Sequence, residues 1–153
     1  MVGTSEKNYI EEVEKDLENL RENLYKMKGW KIERVVLEKK LSAYGYTTYG
    51  VIKSHKTFTI DDLIDKDITR LNTIISNIDY TEYKLKKYET YLNILDDLEI
   101  KTITERYLKA TKKTVSYEKL GNKLNCSATT AKRWHDSAIS KIVDYKYKSI
   151  EIT

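Results

Sequence analysis

The chain has 153 residues, no proline, five glycines and one cysteine; 34% of it is charged and the net charge is +4. Abundant Lys and Glu with no proline predict an all-α protein. A lone cysteine excludes an internal disulfide, and no apolar run approaches a membrane span, so a cytoplasmic protein without membrane contact is expected.

Ser5 reads as the N-cap of a first helix over residues 5–28. Ile10, Val13, Leu17, Leu20, Leu24 and Met27 recur there at steps of three and four, a strict coiled-coil seam. Gly29 is expected to interrupt it. A second piece, Trp30 to Ala43, puts Ile32, Val35, Val36 and Leu41 on a broader apolar face. Residues 44–58 break the helical period and read as a loop or a small hairpin. Thr59 reads as the next cap, with Asp61 and Asp62 at the positive end of the following helix dipole.

That helix is predicted over about 60–96. Ile64, Leu71, Ile78, Leu85 and Leu92 recur every seven residues, with Ile68, Ile75, Tyr88 and Leu95 as the second seam position. At roughly 1.5 Å per residue it spans about 50 Å. Its seam needs a cover, which is the N-terminal helix folded back antiparallel, a second chain in a homodimer, or both. Asp96, Asp97 and Glu99 mark an expected hinge. The expected architecture is a long helical hairpin or coiled-coil stem over residues 1–97, with the insert at 44–58. A C-terminal helix-turn-helix domain follows over residues 98–153.

The C-terminal part carries the functional signal. A helix from about Thr102 to Lys112 turns Ile103, Tyr107 and Leu108 inward. Ser116 caps a short helix to about Leu124, with Leu120 and Leu124 on one face and Gly121 where the next helix must approach closely. Asn125 stands where glycine is usual, and asparagine tolerates a left-handed backbone. Cys126 supplies a small buried side chain. Ser127 caps a second helix, predicted from Ala128 to Val143, that buries Ala131, Trp134, Ala138, Ile139 and Ile142.

The other face of that helix shows Thr129, Thr130, Lys132, Arg133 and Asp136. The start of a recognition helix meets base edges in the major groove, so Ser127, Thr129, Thr130 and Arg133 are candidate base readers. Lys119, Lys132 and Lys141 are candidate phosphate contacts. Residues 101–153 hold 12 basic against 5 acidic residues, and residues 1–100 hold 16 against 19. Phosphate neutralisation explains such asymmetry. A structural helical hairpin with a solvated face is the competing reading.

The run ITERYL, then SYEKLGNKLNCS, then a helix ending AISKI resembles region 4 of bacterial sigma factors, over about Leu98 to Tyr147. Joined to a helical N-terminal part, it resembles the phage late-gene transcriptional regulators of the RinA and ArpU type. The resemblance implies double-stranded DNA and RNA polymerase as partners. Asn125 departs from the usual glycine, and no segment resembles the promoter-melting region of a sigma factor. A phage small terminase subunit, binding packaging-site DNA, is the alternative; a polymerase-binding adaptor that reads no DNA is a third reading.

His55 and His135 are the only histidines, and neither has a Cys or His at metal-ligand spacing. Asp61, Asp62 and Asp65 fit a solvated first helical turn better than a metal site. There is no Gly-rich phosphate loop and no nucleophile–base pair. No enzymatic activity, metal or cofactor is expected.

Overall fold

The first helix, α1, runs unbroken from Thr4 to Ala43 in a computed structural model that describes residues 4–45 and 58–151. Gly29 lies within it, so the expected break is absent. One glycine weakens a helix by only about 1 kcal/mol, and Met27 and Trp30, on either side, pack against a core cluster. The helix ends in a turn at Tyr44 and Gly45. Gly45 has φ +85°, a backbone region open to glycine, and its N–H reaches the Ser42 carbonyl at 2.9 Å.

Helix α2 spans Phe58–Tyr91. Thr4 and Phe58 are already helical, so the caps expected at Ser5 and Thr59 fall inside their helices. Most of the expected loop, residues 46–57, lies outside the described residues. A 3-10 turn, Leu92–Ile94, follows α2, and Leu95 is extended. Helix α3 is Asp97–Ile103 and runs on as a π-helical turn, Thr104–Leu108. Helices α4 (Tyr117–Leu124) and α5 (Ala128–Glu151) complete the order. The architecture is all-α: a long N-terminal helical hairpin of α1 and α2, then shorter helices packed together.

Two of these boundaries correct the sequence reading. The expected helix from Thr102 starts earlier, at Asp97, and stops at Leu108. The acidic run read as a hinge is a capping box: the Asp96 carboxylate accepts the Glu99 N–H at 2.8 Å, and Glu99 accepts the Asp96 N–H at 3.0 Å.

Two compact units divide the chain: Lys26–Glu82, and Met1–Tyr25 with Tyr83–Thr153. In the first, Leu37 and Leu41 of α1 meet Ile64, Ile68, Leu71, Ile74 and Ile78 of α2. The heptad seam holds there, with Ile74 fully buried where Ile75 was expected and Ile75 half-buried beside it. Ion pairs Lys31–Glu82, Glu33–Arg70 and Lys40–Asp67 ascend along α1 as they descend along α2, so the pairing is antiparallel. Apart from the Asp67 carboxylate they are well exposed, and they fix register more than stability. The seam is therefore covered by fold-back within one chain.

Of the face expected for the second half of α1, only Leu41 is buried. Ile32, Val35 and Val36 are 60%, 52% and 57% exposed, and Leu37 joins Leu41 in the core instead. Residues 26–43 carry two apolar stripes, and α2 covers only one.

In the second unit, Val13, Leu17, Leu20 and Leu24 of α1 are buried, as are Tyr88, Tyr91 and Leu95. The Asp16 carboxylate accepts from the Tyr88 hydroxyl at 2.6 Å and pairs with Lys84 at 3.0 Å. Burial alone would raise that carboxyl, but these two hydrogen bonds outweigh it and hold it below its ordinary range. Arg21 donates to the Thr111 carbonyl and the Thr114 hydroxyl to Glu18. Helix α5 runs about two turns past its expected end. There Tyr147 stacks on Tyr9 at 4.0 Å and donates to Glu12 at 2.8 Å.

Candidate nucleic-acid interface

Ser116 caps α4: its hydroxyl accepts the Lys119 N–H at 3.3 Å. Leu120 and Leu124 then face inward with Val115 and Ala131, and Tyr117, Cys126 and Trp134 pack against them. Three residues separate α4 from α5. Asn125 takes φ 57° and ψ 45°, the left-handed conformation the turn needs. The Cys126 N–H reaches the Gly121 carbonyl at 2.8 Å. A Cβ on Gly121 would stand 2.6 Å from the Cys126 carbonyl oxygen, so only glycine lets the turn close this tightly.

Ser127 caps α5, its hydroxyl accepting the Thr130 N–H at 3.1 Å and donating to the Thr130 hydroxyl at 2.9 Å. Ala131, Ala138, Ile139, Ile142 and Val143 form the buried stripe of α5. Trp134, expected in that stripe, is only half-buried at its edge, and His135, 1% exposed, is the residue that fills it.

The exposed face of the first turns of α5 carries Thr129, Lys132, Arg133 and Asp136. Arg133 and Thr129 have no side-chain partner among the described residues. Lys132 pairs with Asp136 at 2.9 Å. Asp136 also accepts from His135 Nδ1 at 2.9 Å. Its burial would raise the carboxyl, but Lys132 and His135 hold it below its ordinary range. Lys119 is exposed on α4.

No protein-family model, curated protein or solved structure matches this chain.

Of the eight candidate contacts, the structure gathers Thr129, Lys132, Arg133 and Asp136 on one exposed face. Ser127 and Thr130 spend their hydroxyls on the cap, and Thr130 is half-buried. Lys141 lies elsewhere on α5, 2.6 Å from Glu99 and 4.0 Å from Asp96. Glu99 is 2% exposed and also accepts from Ser137 at 2.6 Å. Burial would raise its carboxyl, but the Asp96 N–H, Lys141 and Ser137 together hold it below its ordinary range.

The sequence reading missed what supports α5 from behind. His135 Nε2 lies 2.7 Å from the Tyr107 hydroxyl, and Nδ1 lies 3.2 Å from the Tyr117 hydroxyl as well as near Asp136. A neutral ring with its proton on Nδ1 satisfies this set: it donates to Asp136 and accepts from Tyr107. Burial lowers the basicity of His135, against the opposing hydrogen bond to Asp136. Burial also pushes the Tyr107 hydroxyl up to about 12, so it keeps the proton it donates. Arg106 stacks 4.2 Å above the Tyr117 ring and donates to the Val115 carbonyl. The π-helical turn thus supplies two side chains, Arg106 and Tyr107, that fix the start of α4 against α5. A visible signal was the spacing itself, since His135 falls four residues after Ala131 and three before Ala138.

Proposed function

We propose that α4 and α5 form a helix-turn-helix that binds double-stranded DNA, with the first turns of α5 in the major groove. The observation that carries this reading is the exposed Arg133, unpartnered among the described residues, beside Thr129 and Lys132, on a helix whose opposite face is locked by Gly121, His135 and the Ala131–Ile142 stripe. A rigid scaffold presenting a free guanidinium and a hydroxyl suits direct readout, with guanine O6 and N7 as the natural partner of the arginine. Lys119 and Lys132 serve the phosphates. The basic excess of residues 101–153 supplies the long-range attraction. The likeness of Leu98–Tyr147 to sigma region 4 extends the proposal to a phage or prophage regulator of late genes, acting in the bacterial cytoplasm alongside RNA polymerase.

Selection from a randomised duplex pool, followed by binding titrations at several salt concentrations, tests it. The wild-type chain should enrich one motif. Arg133→Ala should lose about 1–3 kcal/mol on that motif and relax preference at one position. Lys132→Ala should weaken all duplexes alike and flatten the salt slope by about one unit. An unenriched pool, or two variants indistinguishable from wild type, would remove the DNA site from α5. Sedimentation distinguishes the regulator from a ring-forming packaging protein.

A further inference from the structure

The second stripe of α1 lies within the unit Lys26–Glu82 and has no cover among the described residues. Lys28, Lys31, Ile32, Val35 and Val36 line one open groove on this helix. Ile32, Val35 and Val36 are each more than half exposed. Gly29 sits beside them by helical spacing, with open space where a side chain would be. Three β-branched apolar side chains on one water-facing stripe mark a contact surface more than a solvated face. Lys28, Ile32, Val35, Val36 and Lys39 follow at helical steps, so a lysine stands at each end of the stripe. From Lys28 to Lys39 it is roughly 16 Å long.

Charge decides what fits there. Lys28 and Lys39 have no ion-pair partner among the described residues. The nearby acids are already engaged, Glu33 with Arg70 and Glu38 with Arg34. A second copy laid antiparallel on this stripe would set Lys28 against Lys39, and a parallel copy would set each lysine against itself. Like charges across a contact disfavour both arrangements. We propose that this face of α1 docks an amphipathic helix of another protein, with a short apolar stripe flanked at both ends by carboxylates. The ridge of Ile32, Val35 and Val36 would pack the apolar stripe, the gap at Gly29 would receive a knob, and the two lysines would set register. This surface is separate from the α4–α5 face and stands or falls independently of DNA binding.

The probe is a pair of synthetic peptides of about three heptads with leucine at the seam positions. One carries glutamate on both flanks of the seam and the other lysine; like-charge repulsion keeps each from self-associating. Fluorescence anisotropy with the full chain should show the acidic peptide binding at least about tenfold tighter than the basic one. Val36→Asp should abolish that binding while circular dichroism shows unchanged helix content, because Val36 is exposed. The double variant Lys28→Glu/Lys39→Glu should reverse the peptide preference. Absent binding by both peptides, binding unaffected by Val36→Asp, or a preference that the charge swap leaves unreversed would each overturn the proposal. So would a wild-type dimer in sedimentation that Val36→Asp converts to monomer, since the face would then join two copies.

Discussion

At Gly121 a single hydrogen atom decides whether the α4–α5 turn closes. A methyl group there meets backbone, which cannot rotate away, so Gly121→Ala should destabilise by about 1–3 kcal/mol, as overpacking does. Urea unfolding followed by tryptophan fluorescence measures it, and an unchanged midpoint would mean the turn has slack. His135 sets a pH dependence whose sign follows from burial. The unfolded chain protonates a histidine near pH 6.5, whereas the buried ring protonates only below that. Its contribution is fully present above about pH 6.5 and fades as pH falls towards the lowered folded value. Glu14, whose carboxyl is raised by burial and by Asp136, works in the opposite direction at lower pH. Melting should therefore fall between about pH 7.5 and 5.5, and His135→Gln should flatten that fall while lowering stability at the upper end. Parallel slopes in the two proteins would exclude the role. Gly121, Asn125 and both serine caps were legible in the sequence because their signals are local. The spacing of His135 pointed to the stripe, but its partners were not legible, because Tyr107 and Tyr117 lie 28 and 18 residues away and nothing local announces them.

The tie between α3 and α5 runs through one carboxylate. Glu99 completes the capping box of α3 and receives Ser137 and Lys141 of α5. Hydrogen bonds to a charged group contribute about 1.5–3 kcal/mol, and losing a cap costs about 1 kcal/mol. Glu99→Ala should therefore destabilise by roughly 2–4 kcal/mol. Lys141→Ala should do less, since the Ser137 hydroxyl and the Asp96 N–H still serve the buried carboxylate. Thermal melts of both variants give the order, and a larger loss for Lys141→Ala would contradict it. At this scale the heptads of α2 were readable, since one wide apolar stripe on a long helix has one buried solution. Residues 26–43 of α1 were readable only in part, at Met27 and Leu41. They carry two stripes, and periodicity alone cannot say which one meets α2; the longer Leu37 and Leu41, together with Met27 and Trp30, reach that core, and the β-branched set stays outside. Trp134 was misplaced for a related reason: the most apolar side chain near a stripe was assigned to its centre, while the smaller imidazole, with hydroxyls to satisfy it, occupies the core.

Across the whole molecule the two tryptophans provide separate reporters. Trp30 packs on the core of the Lys26–Glu82 unit, and Trp134 on the α4–α5 cluster. Single-tryptophan variants, with phenylalanine at the other position, follow each unit by itself. Leu71 is fully buried among Leu37, Leu41, Ile68 and Ile74. Leu71→Asp removes the packing of a large core side chain, a loss of about 2–5 kcal/mol. It also sets a carboxyl among apolar core side chains, which either raises its pKa or adds a further desolvation cost. Against the roughly 5–15 kcal/mol that holds a typical domain together, this change should bring the unfolding transition seen by Trp30 to much lower urea. Val36→Asp, on the opposite side of the same hairpin, places the same charge in water and should leave that transition within about 0.5 kcal/mol of wild type. The contrast separates the covered stripe of α1 from the open one. A Trp30 signal that Leu71→Asp leaves unmoved would mean that α2 does not bury this residue, and the antiparallel pairing would have to be abandoned.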